Sequence, residues 1–434
     1  MPARRASSNL QCDTCFKPRI YTDKVNIQMS HTRVLDTLFS LLLIGWLAGC
    51  SGQQADQDLA GLPWEKITGQ AEGQTVSMMM WMGDPNINDY MQNYVVPEVK
   101  KRYNIDLEIA SGQGNTIVSI LMSELEAGKQ EGELDLVWIN GETFYQLRQI
   151  EGLYGPFLNR LPNSEYIDLS NPFIAYDFQQ PIDGYEVPWG NVQFTLIYDS
   201  ARTPSPPKTR EALAEYVKLH PGSFTIANDF SGMTFLKSLL IDMAGPGTLD
   251  GEFNEDAYRT YSARLWDYIN RLKPHMWKDG ETFPENVAAM HQLFVNSELH
   301  FTMSNNDSEV DNKILEGFFP STARAYVLEE GTIQNSHYLG IPANAPHKAA
   351  AMVVSNFLIS PEAQYRKARP DIWGDGTVLA TSKLPADWSE KFRQMPRRKH
   401  APPRDSLNEH ALQELAPEYM IRLYEDFRTN IIQQ

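Results

Sequence analysis

Cysteine is scarce in this sequence, which has three in 434 residues, at Cys12, Cys15 and Cys50. A small fold held together by several disulfide bonds is therefore excluded. Positive charge is also in short supply, because 38 Lys and Arg oppose 55 Asp and Glu and the formal net charge is −17. Nucleic-acid binding needs clustered Lys and Arg to displace counterions from phosphates, so this balance argues against that class of protein.

The apolar run near the N-terminus is too short to cross a membrane. Residues 38–49 form this run of 12, whereas a bilayer core needs about 20. The run follows Arg33 and ends in Leu47-Ala48-Gly49-Cys50, which is typical of a secretory signal. Small residues before a cysteine resemble the lipobox of bacterial lipoproteins, in which that cysteine is acylated. We expect residues 1–49 to be an upstream extension and a lipoprotein signal peptide, with Cys50 lipidated; an ordinary signal peptide with a chance cysteine is the alternative.

The Cys12-x-x-Cys15 spacing does not predict a metal site. It lies upstream of Met29, a plausible start of the signal, and no second pair of ligands with suitable spacing follows it. Removal of residues 1–49 takes away six Lys or Arg and three Asp or Glu, so the formal charge becomes −20. No disulfide can form in the remaining chain, and we expect no metal and no cofactor.

Two units of alternating strands and helices are expected after a tether at residues 50–73, which is rich in Gln, Gly, Asp and Ala. The first unit has strand patterns at 75–82, 105–110 and 134–139, separated by helical patterns at 88–103 and 115–129. The second unit begins after Pro188, with strand patterns at 192–198, 224–227, 299–303 and 338–341 among helices. This alternation predicts an α/β fold with doubly wound, parallel sheets.

Polar and aromatic side chains follow the predicted strands. Ligands of open α/β sheets bind at the carboxyl ends of the strands, so the loops after the first and third strands offer binding candidates. These candidates are Trp81, Asp84, Asn86, Asn140 and Glu142. In the second unit the same rule selects Trp189, Asn191, Asp229, Ser231 and Asn305. Helix capping and core packing are the alternative explanation for each loop taken singly.

The lipobox, the tether, residues 81–88, residues 135–142 and residues 188–191 together resemble the periplasmic solute-binding proteins of ABC importers. The chain is similar in particular to the YnjB-type family, which is related to binding proteins for thiamine, polyamines and ferric ion. The resemblance implies a two-lobed periplasmic-binding-protein fold of type II, joined by hinge crossings. It implies a first lobe at 74–190, a second lobe at 191–303, a return to the first lobe at 304–343, and the second lobe with C-terminal helices at 344–434.

The resemblance also implies a function in transport. A small solute would be captured in the cleft between the lobes and delivered to a permease and an ATPase on other chains. The receptor itself would be a monomer in the periplasm, held to a membrane by its lipid anchor alone. Trp189 and Asn191 would lie near the hinge, Asp229 and Ser231 on the second lobe, and Asn305 at the second crossing. The adjacent tyrosine pair of ferric-ion binders is missing, so iron is not expected.

Carboxylates beside tryptophans suit a cationic solute, by ion pairing and cation–π contact. Asp84, Glu142 and Asp229 with Trp81, Trp138 and Trp189 therefore favour a thiamine-like or polyamine-like ligand. An anion at the helix start after Asp229 and a sugar stacked on tryptophan are alternatives. The sequence contains no G-x-S-x-G, H-E-x-x-H, P-loop or G-x-G-x-x-G motif, so an enzyme is not expected. A lipoprotein hydrolase acting on a glycan through a carboxylate pair is the alternative function.

Overall fold

The structure is a computed structural model that describes residues 59–433. The predicted signal peptide, Cys50 and the first part of the tether lie outside the described residues. Eleven strands are present in the described range, and we number them in chain order: β1 Thr75–Met80, β2 Asp106–Ser111, β3 Leu136–Ile139, β4 Tyr176–Asp177, β5 Gln180–Pro181, β6 Glu186–Gln193, β7 Thr195–Asp199, β8 Phe301–Ser304, β9 Ala323–Tyr326, β10 Thr332–Gly340 and β11 Ala411–Leu412.

Sixteen α-helices lie in the same range. They are α1 Trp64–Ala71, α2 Pro85–Tyr90, α3 Val96–Tyr103, α4 Gly114–Glu126, α5 Glu142–Gln149, α6 Pro172–Ala175, α7 Arg210–Leu219, α8 Phe230–Ala244, α9 Glu255–Leu272, α10 Val287–Val295, α11 Glu309–Leu315, α12 Lys348–Leu358, α13 Pro361–Ala368, α14 Ala386–Arg393, α15 Arg404–Asn408 and α16 Pro417–Phe427. Single π-helical turns follow α2 and α16.

The first lobe is built around a sheet in which β1 lies between β2 and β3 and runs parallel to both. Strand β10 continues this sheet antiparallel to β3, and β6 pairs antiparallel with β10. Helix α12 packs under the sheet with every residue from Ala349 to Leu358 buried, so it is a core helix without a solvent face. The parallel part follows from the strand–helix alternation, because each helix returns the chain to the start of the next strand.

The second lobe has a three-stranded sheet in the order β8-β7-β9, and β7 is antiparallel to both neighbours. A second hydrophobic core joins this sheet to α8, α9 and α16, with Leu196, Leu239, Trp266 and Met420 among its buried residues. The sheet is antiparallel because β7 continues directly from β6 and enters the lobe in the opposite direction to the strands that follow it.

Three connections join the lobes. Strand β6 leads into β7 after one residue, β9 leads into β10, and residues 394–416 run from α14 to α16. The first two connections are paired with each other over the length of β6, from Glu186↔Gly340 to Gln193↔Gln334. This paired ribbon is the hinge region between the lobes, and all residues of both strands are buried.

The lobe boundaries differ from the expected segments. Within residues 304–343, α11 and β9 belong to the second lobe, since Val310 and Ala325 pack with Ile197, and only β10 returns to the first lobe. Within residues 344–434, α12 packs on the first lobe and α16 on the second. The segment 224–227 is buried but is not a strand. Hydrophobic periodicity indicates that one face of an element is buried, but it does not indicate which of the two cores covers that face. The expected lobe segments therefore differ from the observed ones.

Candidate functional site

The first-lobe wall of the interlobe cleft is formed where β1 and β3 end. The side chain of Trp81 follows β1 and is 40% exposed. Asp84 caps α2, with its Oδ1 accepting hydrogen bonds from the backbone N–H groups of Asn86 at 2.8 Å and Ile87 at 3.3 Å. Asn140 follows β3, and its carbonyl oxygen accepts a hydrogen bond from the Thr143 N–H. The predicted residues of these two loops therefore lie at one edge of the sheet.

Glu142 is the first residue of α5 and has an incomplete hydrogen-bond set. Its Oε2 atom is buried and has no hydrogen-bond partner among the described residues. Burial raises the pKa of the Glu142 carboxyl above its ordinary value. The preceding Gly141 has φ +57°, and an added Cβ there would meet the Phe178 ring at 2.6 Å. Glycine is thus required for the turn that brings Glu142 to the end of β3.

The second-lobe wall begins at Asp229, which caps α8. Its Oδ1 accepts hydrogen bonds from the N–H groups of Ser231 at 3.0 Å and Gly232 at 3.1 Å, and its Oδ2 accepts one from Val287 N–H at 2.6 Å. Burial raises the pKa of Asp229, although these backbone donors oppose the shift. The side-chain amide of Asn305 donates to the Ser231 hydroxyl at 2.8 Å. Asp229, Ser231 and Asn305 are therefore brought together, as polar groups that already bond one another.

The two walls meet at Tyr424 of α16. The negative charges of Glu142 in the first lobe and Asp229 in the second both act on its hydroxyl, after burial, to raise the pKa of Tyr424. Burial, and after it the negative charge of Glu418 in α16, raises the pKa of Tyr145 in α5. Glu142 and Asp229 thus face a common region between the lobes.

Trp189 and Asn191 lie within β6 and do not line an open cleft. Trp189 is fully buried. The amide of Asn191 donates to the Ser336 hydroxyl at 3.0 Å and is within 3.3 Å of the carbonyl oxygens of Phe173 and Asn335. Both residues therefore belong to the hinge ribbon, and their part in solute binding stays a prediction.

Four aromatic rings cluster beside this ribbon. Trp138 lies 5.2 Å from Trp189 and 4.9 Å from His337, measured between ring centroids, and Trp373 stacks on His337 at 5.8 Å. Trp138 is half-buried, whereas the other three rings are buried. The cluster leaves one tryptophan, Trp138, with a partly accessible face.

Side chains of the two lobes contact each other directly at one end of the cleft. The Lys313 ammonium in α11 donates to Asp84 Oδ2 at 2.7 Å. The Asn86 amide donates to the Glu316 carboxylate, which also lies 3.3 Å from Lys313 Nζ. Asp84 and Asn86 are therefore engaged by protein partners, and sequence reasoning did not foresee either partner.

Charged groups missed by sequence reasoning also lie behind the cleft. Lys237 in α8 is fully buried, forms an ion pair with Glu414 at 2.7 Å, and lies 4.2 Å from the centroid of the Phe178 ring. Asp177 is buried nearby and accepts a hydrogen bond from the Gly141 N–H at 2.6 Å. A lysine in the middle of an otherwise apolar helix was the available signal for Lys237. No pattern within the sequence links it to Glu414, 177 residues later.

Asn305 does not lie at the second crossing between lobes. The crossing is made by β10, whereas residues 304–308 lead from β8 into α11 inside the second lobe. The expectation failed because the sequence of a polar loop after a strand does not indicate whether the chain then crosses to the other lobe or stays in the same one.

Residues 59–433 bring together no group of three His, Cys, Asp or Glu able to hold a metal ion. In the same range, no helix combines the length and the hydrophobicity needed for a membrane span.

The chain is similar in sequence to known proteins. Residues 94–395 match a family model described as bacterial extracellular solute-binding protein. Protein YnjB of Escherichia coli (strain K12) is 37% identical over 354 residues, which cover 80% of this chain and 90% of that protein.

Solved structures share the fold at low identity. They include a putative spermidine/putrescine ABC transporter protein from Listeria monocytogenes, with a TM-score of 0.58 and 16% identity over 83% of this chain and 99% of that one. The Tp0655 (TpPotD) lipoprotein of Treponema pallidum has a TM-score of 0.61 and 12% identity over 83% of this chain and 100% of that one. AfuA from Actinobacillus pleuropneumoniae, bound to fructose-6-phosphate, has a TM-score of 0.57 and 12% identity over 82% and 99%.

These likenesses confirm the predicted two-lobed periplasmic-binding-protein fold of type II. Family and fold are those of substrate-binding proteins and not of enzymes. The chain belongs to the bacterial extracellular solute-binding protein family.

Proposed function

We propose that this chain captures a small organic cation in the interlobe cleft, near Glu142, and releases it unchanged to a membrane permease. The observation that carries the choice of a cation is the buried Glu142 carboxylate, whose Oε2 has no protein partner in the described range. A buried acceptor without a partner is costly, and a bound ammonium or similar cation supplies both the missing donor and the opposing charge. Thiamine-like and polyamine-like solutes are the classes we favour.

Aromatic rings support the same class of ligand. Trp81 is 40% exposed at the end of β1, and Trp138 in the adjacent β3 is half-buried. Either indole face can stabilise a cation. Of the other carboxylates predicted to bind the solute, Asp84 is paired with Lys313 and Asp229 is occupied by backbone donors. The proposal therefore rests on Glu142 at the start of α5, with Trp138 in β3 and Trp81 just after β1 as the aromatic candidates at the same edge of the sheet.

Solved structures that share the fold are described with solutes of different chemical classes. The protein from Listeria monocytogenes and PotD from Streptococcus pneumoniae are described as spermidine/putrescine transporters, whereas AfuA holds a sugar phosphate. All three are less than 25% identical to this chain, so their ligands suggest a panel to test and do not decide among its members.

Closure of the lobes is the proposed mechanism of transport. A solute that contacts Glu142 on one lobe and the Ser231–Asn305 pair on the other stabilises the closed form by its differential affinity. The closed form then docks on a permease driven by an ATPase, both on separate chains.

We propose that the receptor is a monomer anchored in the periplasm through acylated Cys50. Replacing Cys50 with Ser should move the protein from the membrane fraction to the soluble fraction. A Cys50→Ser variant that stays in the membrane fraction would contradict the lipid anchor.

Calorimetric titration of the purified protein tests the ligand class. Thiamine, spermidine and putrescine form the cationic arm, and fructose-6-phosphate and maltose form the anionic and neutral arms. We expect one-to-one binding in the cationic arm alone, and recovery of the unchanged solute by mass spectrometry. Binding confined to the sugar phosphate or to maltose would contradict the cationic proposal. Chemical conversion of a glycan would instead support the hydrolase alternative.

A further inference from the structure

A second cavity lies at the hinge, and none of the ten residues predicted for the cleft lines it. Its volume is about 290 Å³, at the small end of the range for ligand sites. We call it the hinge cavity, because β10 and the third connection between the lobes both contribute to its wall. It is lined by Pro172, Phe173, Tyr176, Asp177, Phe178, Gln179, Gln334, Asn335, Gln413 and Glu414.

The lining of the hinge cavity has the chemistry of a site for an organic cation. It contains three aromatic side chains, two carboxylates and four side-chain amides, and no Lys, Arg or His lines it. Aromatic faces attract cations electrostatically, and carboxylate and amide oxygens accept hydrogen bonds from an ammonium. Tyr176 is 49% exposed, whereas Asp177 is 2% and Glu414 is 6% exposed. The cavity thus has an aromatic side chain at an accessible position and buried carboxylates within it.

One carboxylate of the hinge cavity has its charge balanced and the other does not. Glu414 forms an ion pair with Lys237 and accepts hydrogen bonds from Asn335 and from its neighbour's backbone N–H. Asp177 accepts one backbone hydrogen bond, from Gly141. No lysine or arginine of residues 59–433 forms an ion pair with it. Burial raises the pKa of Asp177 well above its usual value, so a bound cation that pairs with this carboxylate offsets the cost of ionising it.

Gln334 also lines the hinge cavity, and it is 8% exposed. Its Oε1 is buried without a hydrogen-bond partner in the described range. The amide orientation is fixed, because Nε2 donates to the Asn191 side-chain oxygen while the Asn191 amide donates to Ser336. Rotating the Gln334 amide would set two oxygens against each other. The hinge cavity therefore contains a buried acceptor that lacks a donor.

We infer that the hinge cavity binds a small organic cation, with its positive nitrogen beside Asp177 and the rings of Tyr176 and Phe173, and with an N–H or O–H group of the cation donating to Gln334 Oε1. The hinge cavity adjoins the cleft, because its Asp177 accepts a hydrogen bond from the N–H of Gly141, the residue before Glu142, but the inference does not depend on the proposed cleft ligand. Because β10 and residues 411–416 belong to connections between the lobes, an occupant of the cavity contacts the hinge itself.

Choline and its uncharged isostere 3,3-dimethylbutan-1-ol are the probes that test this inference. They have nearly the same shape and differ by the positive nitrogen. We expect choline to bind the purified full-length protein in a calorimetric titration, and the alcohol to bind at least about tenfold more weakly. Equal binding of the two probes, or no choline binding up to millimolar concentration, would overturn the inference.

Substitutions at two accessible positions, Gln413 and Tyr176, locate the bound choline. Gln413→Lys places a tethered ammonium in the hinge cavity and should weaken choline binding at least about tenfold, whereas Gln413→Met, the matched neutral change, should alter it less than about threefold. Tyr176→Ala removes an aromatic face and should weaken it by about three- to tenfold. Both residues are partly exposed, so these variants are expected to fold, which thermal unfolding checks.

The variant Glu142→Gln separates this inference from the proposed function. If Glu142→Gln abolishes choline binding while Gln413→Lys and Tyr176→Ala leave it unchanged, choline occupies the cleft, and the hinge-cavity inference is overturned while the proposed function is supported. If Gln413→Lys and Tyr176→Ala weaken choline binding but Glu142→Gln does not affect it, the hinge cavity is the site, whatever solute the cleft takes.

Discussion

Asp84 and Lys313 connect the two lobes through one ion pair, with Lys313 Nζ 2.7 Å from Asp84 Oδ2. Asp84 stands at the start of α2 in the first lobe and Lys313 in the last turn of α11 in the second. Both side chains are largely buried, with 13% and 8% of their surface exposed. The other oxygen of Asp84 caps α2. One carboxylate therefore shapes a loop of the cleft wall and joins that wall to the opposite lobe.

Separate substitution of the two partners should loosen the contact between the lobes. Asp84→Asn keeps the helix cap, because Asn is as good a cap as Asp, and removes the charge. We expect Asp84→Asn and Lys313→Met each to lower the free energy of unfolding by about 1–3 kcal/mol and to increase the radius of gyration of the ligand-free protein in small-angle X-ray scattering. Lys100→Met, which breaks an exposed pair with Asp106 inside the first lobe, is the control. An unchanged radius of gyration in both cleft variants would contradict a role in holding the lobes together.

Glu142→Gln should weaken cation binding and stabilise the ligand-free protein at neutral pH. Burial raises the folded-state pKa of Glu142, so the folded protein favours its protonated form. The stability this gives is fully present below the unfolded pKa, about 4.3, and is lost as pH rises through the raised folded pKa. Glutamine does not ionise, so the variant does not lose this stability as the pH rises. The variant should therefore match the parent at pH 4 and exceed it at pH 7 in urea denaturation.

Cation affinity provides the second readout for Glu142. A cationic solute needs the ionised carboxylate, so its affinity should fall as pH decreases through the raised pKa in the parent protein. Glu142→Gln should lower the affinity by about tenfold or more at pH 7 and remove this pH dependence. An affinity for thiamine, spermidine or putrescine that is unaffected by the substitution would exclude Glu142 from the site.

Much of the fold was predictable from local sequence patterns. Helices α7 and α13 begin and end where hydrophobic spacing and capping residues indicate, and β1, β2 and β3 lie within about two residues of their predicted ranges. These elements were predictable because each is amphipathic or is bounded by Gly, Pro or Asn. The short strand β9 and the full length of β10 were not foreseen, since uninterrupted burial on both faces leaves no alternation to read.

The candidate site was predictable as a set of loops and not as a set of contacts. Strand-end logic selected Asp229, Ser231 and Asn305, and the structure brings these three residues together, although their contact with a solute stays a prediction. The pairing of Asp84 with Lys313 joins positions 229 residues apart and depends on how two lobes pack. Nothing local in the sequence encodes such a pair, so the same carboxylate looked free to bind a ligand.

Asp307 anchors the third connection between the lobes. Its contribution to the free energy of unfolding should depend on pH in the acid range. Arg398 and Arg404 both donate to its carboxylate, and Arg404 also donates to the Gly374 carbonyl oxygen of the first lobe at 2.7 Å. Burial alone would raise the pKa of Asp307, but the two guanidinium groups hold it below its usual value. Asp307→Asn should cost about 3–5 kcal/mol at pH 7, because it leaves two arginines without their partner.

The pH dependence distinguishes this anchor from a general loss of packing. Because the folded pKa is depressed, the contribution of Asp307 is present above its unfolded value, about 3.9, and is lost as pH falls through the folded pKa. The difference between parent and Asp307→Asn should therefore shrink below about pH 4 in denaturant titrations. Asp371→Asn, which breaks an exposed pair with Arg369, is the control and should cost less than about 1 kcal/mol. A difference that stays constant with pH would contradict the charge-based explanation.

The buried pair of Lys237 and Glu414 should tolerate joint replacement better than the loss of one partner. Lys237 is fully buried and Glu414 nearly so, and Asp177 and Glu142 lie close enough for their charges to interact with this pair. Lys237→Met removes the one cation of the group and should cost about 3–5 kcal/mol in urea denaturation, since Glu414 is left buried without its partner. The double variant Lys237→Met/Glu414→Gln should recover most of that loss, because no unpaired charge remains at either position. Arg422→Met, which breaks an exposed pair with Glu255, should cost less than about 1 kcal/mol. If the double variant were as unstable as Lys237→Met alone, the loss would come from the packing of the lysine stem against Phe178 and Phe230 and not from charge.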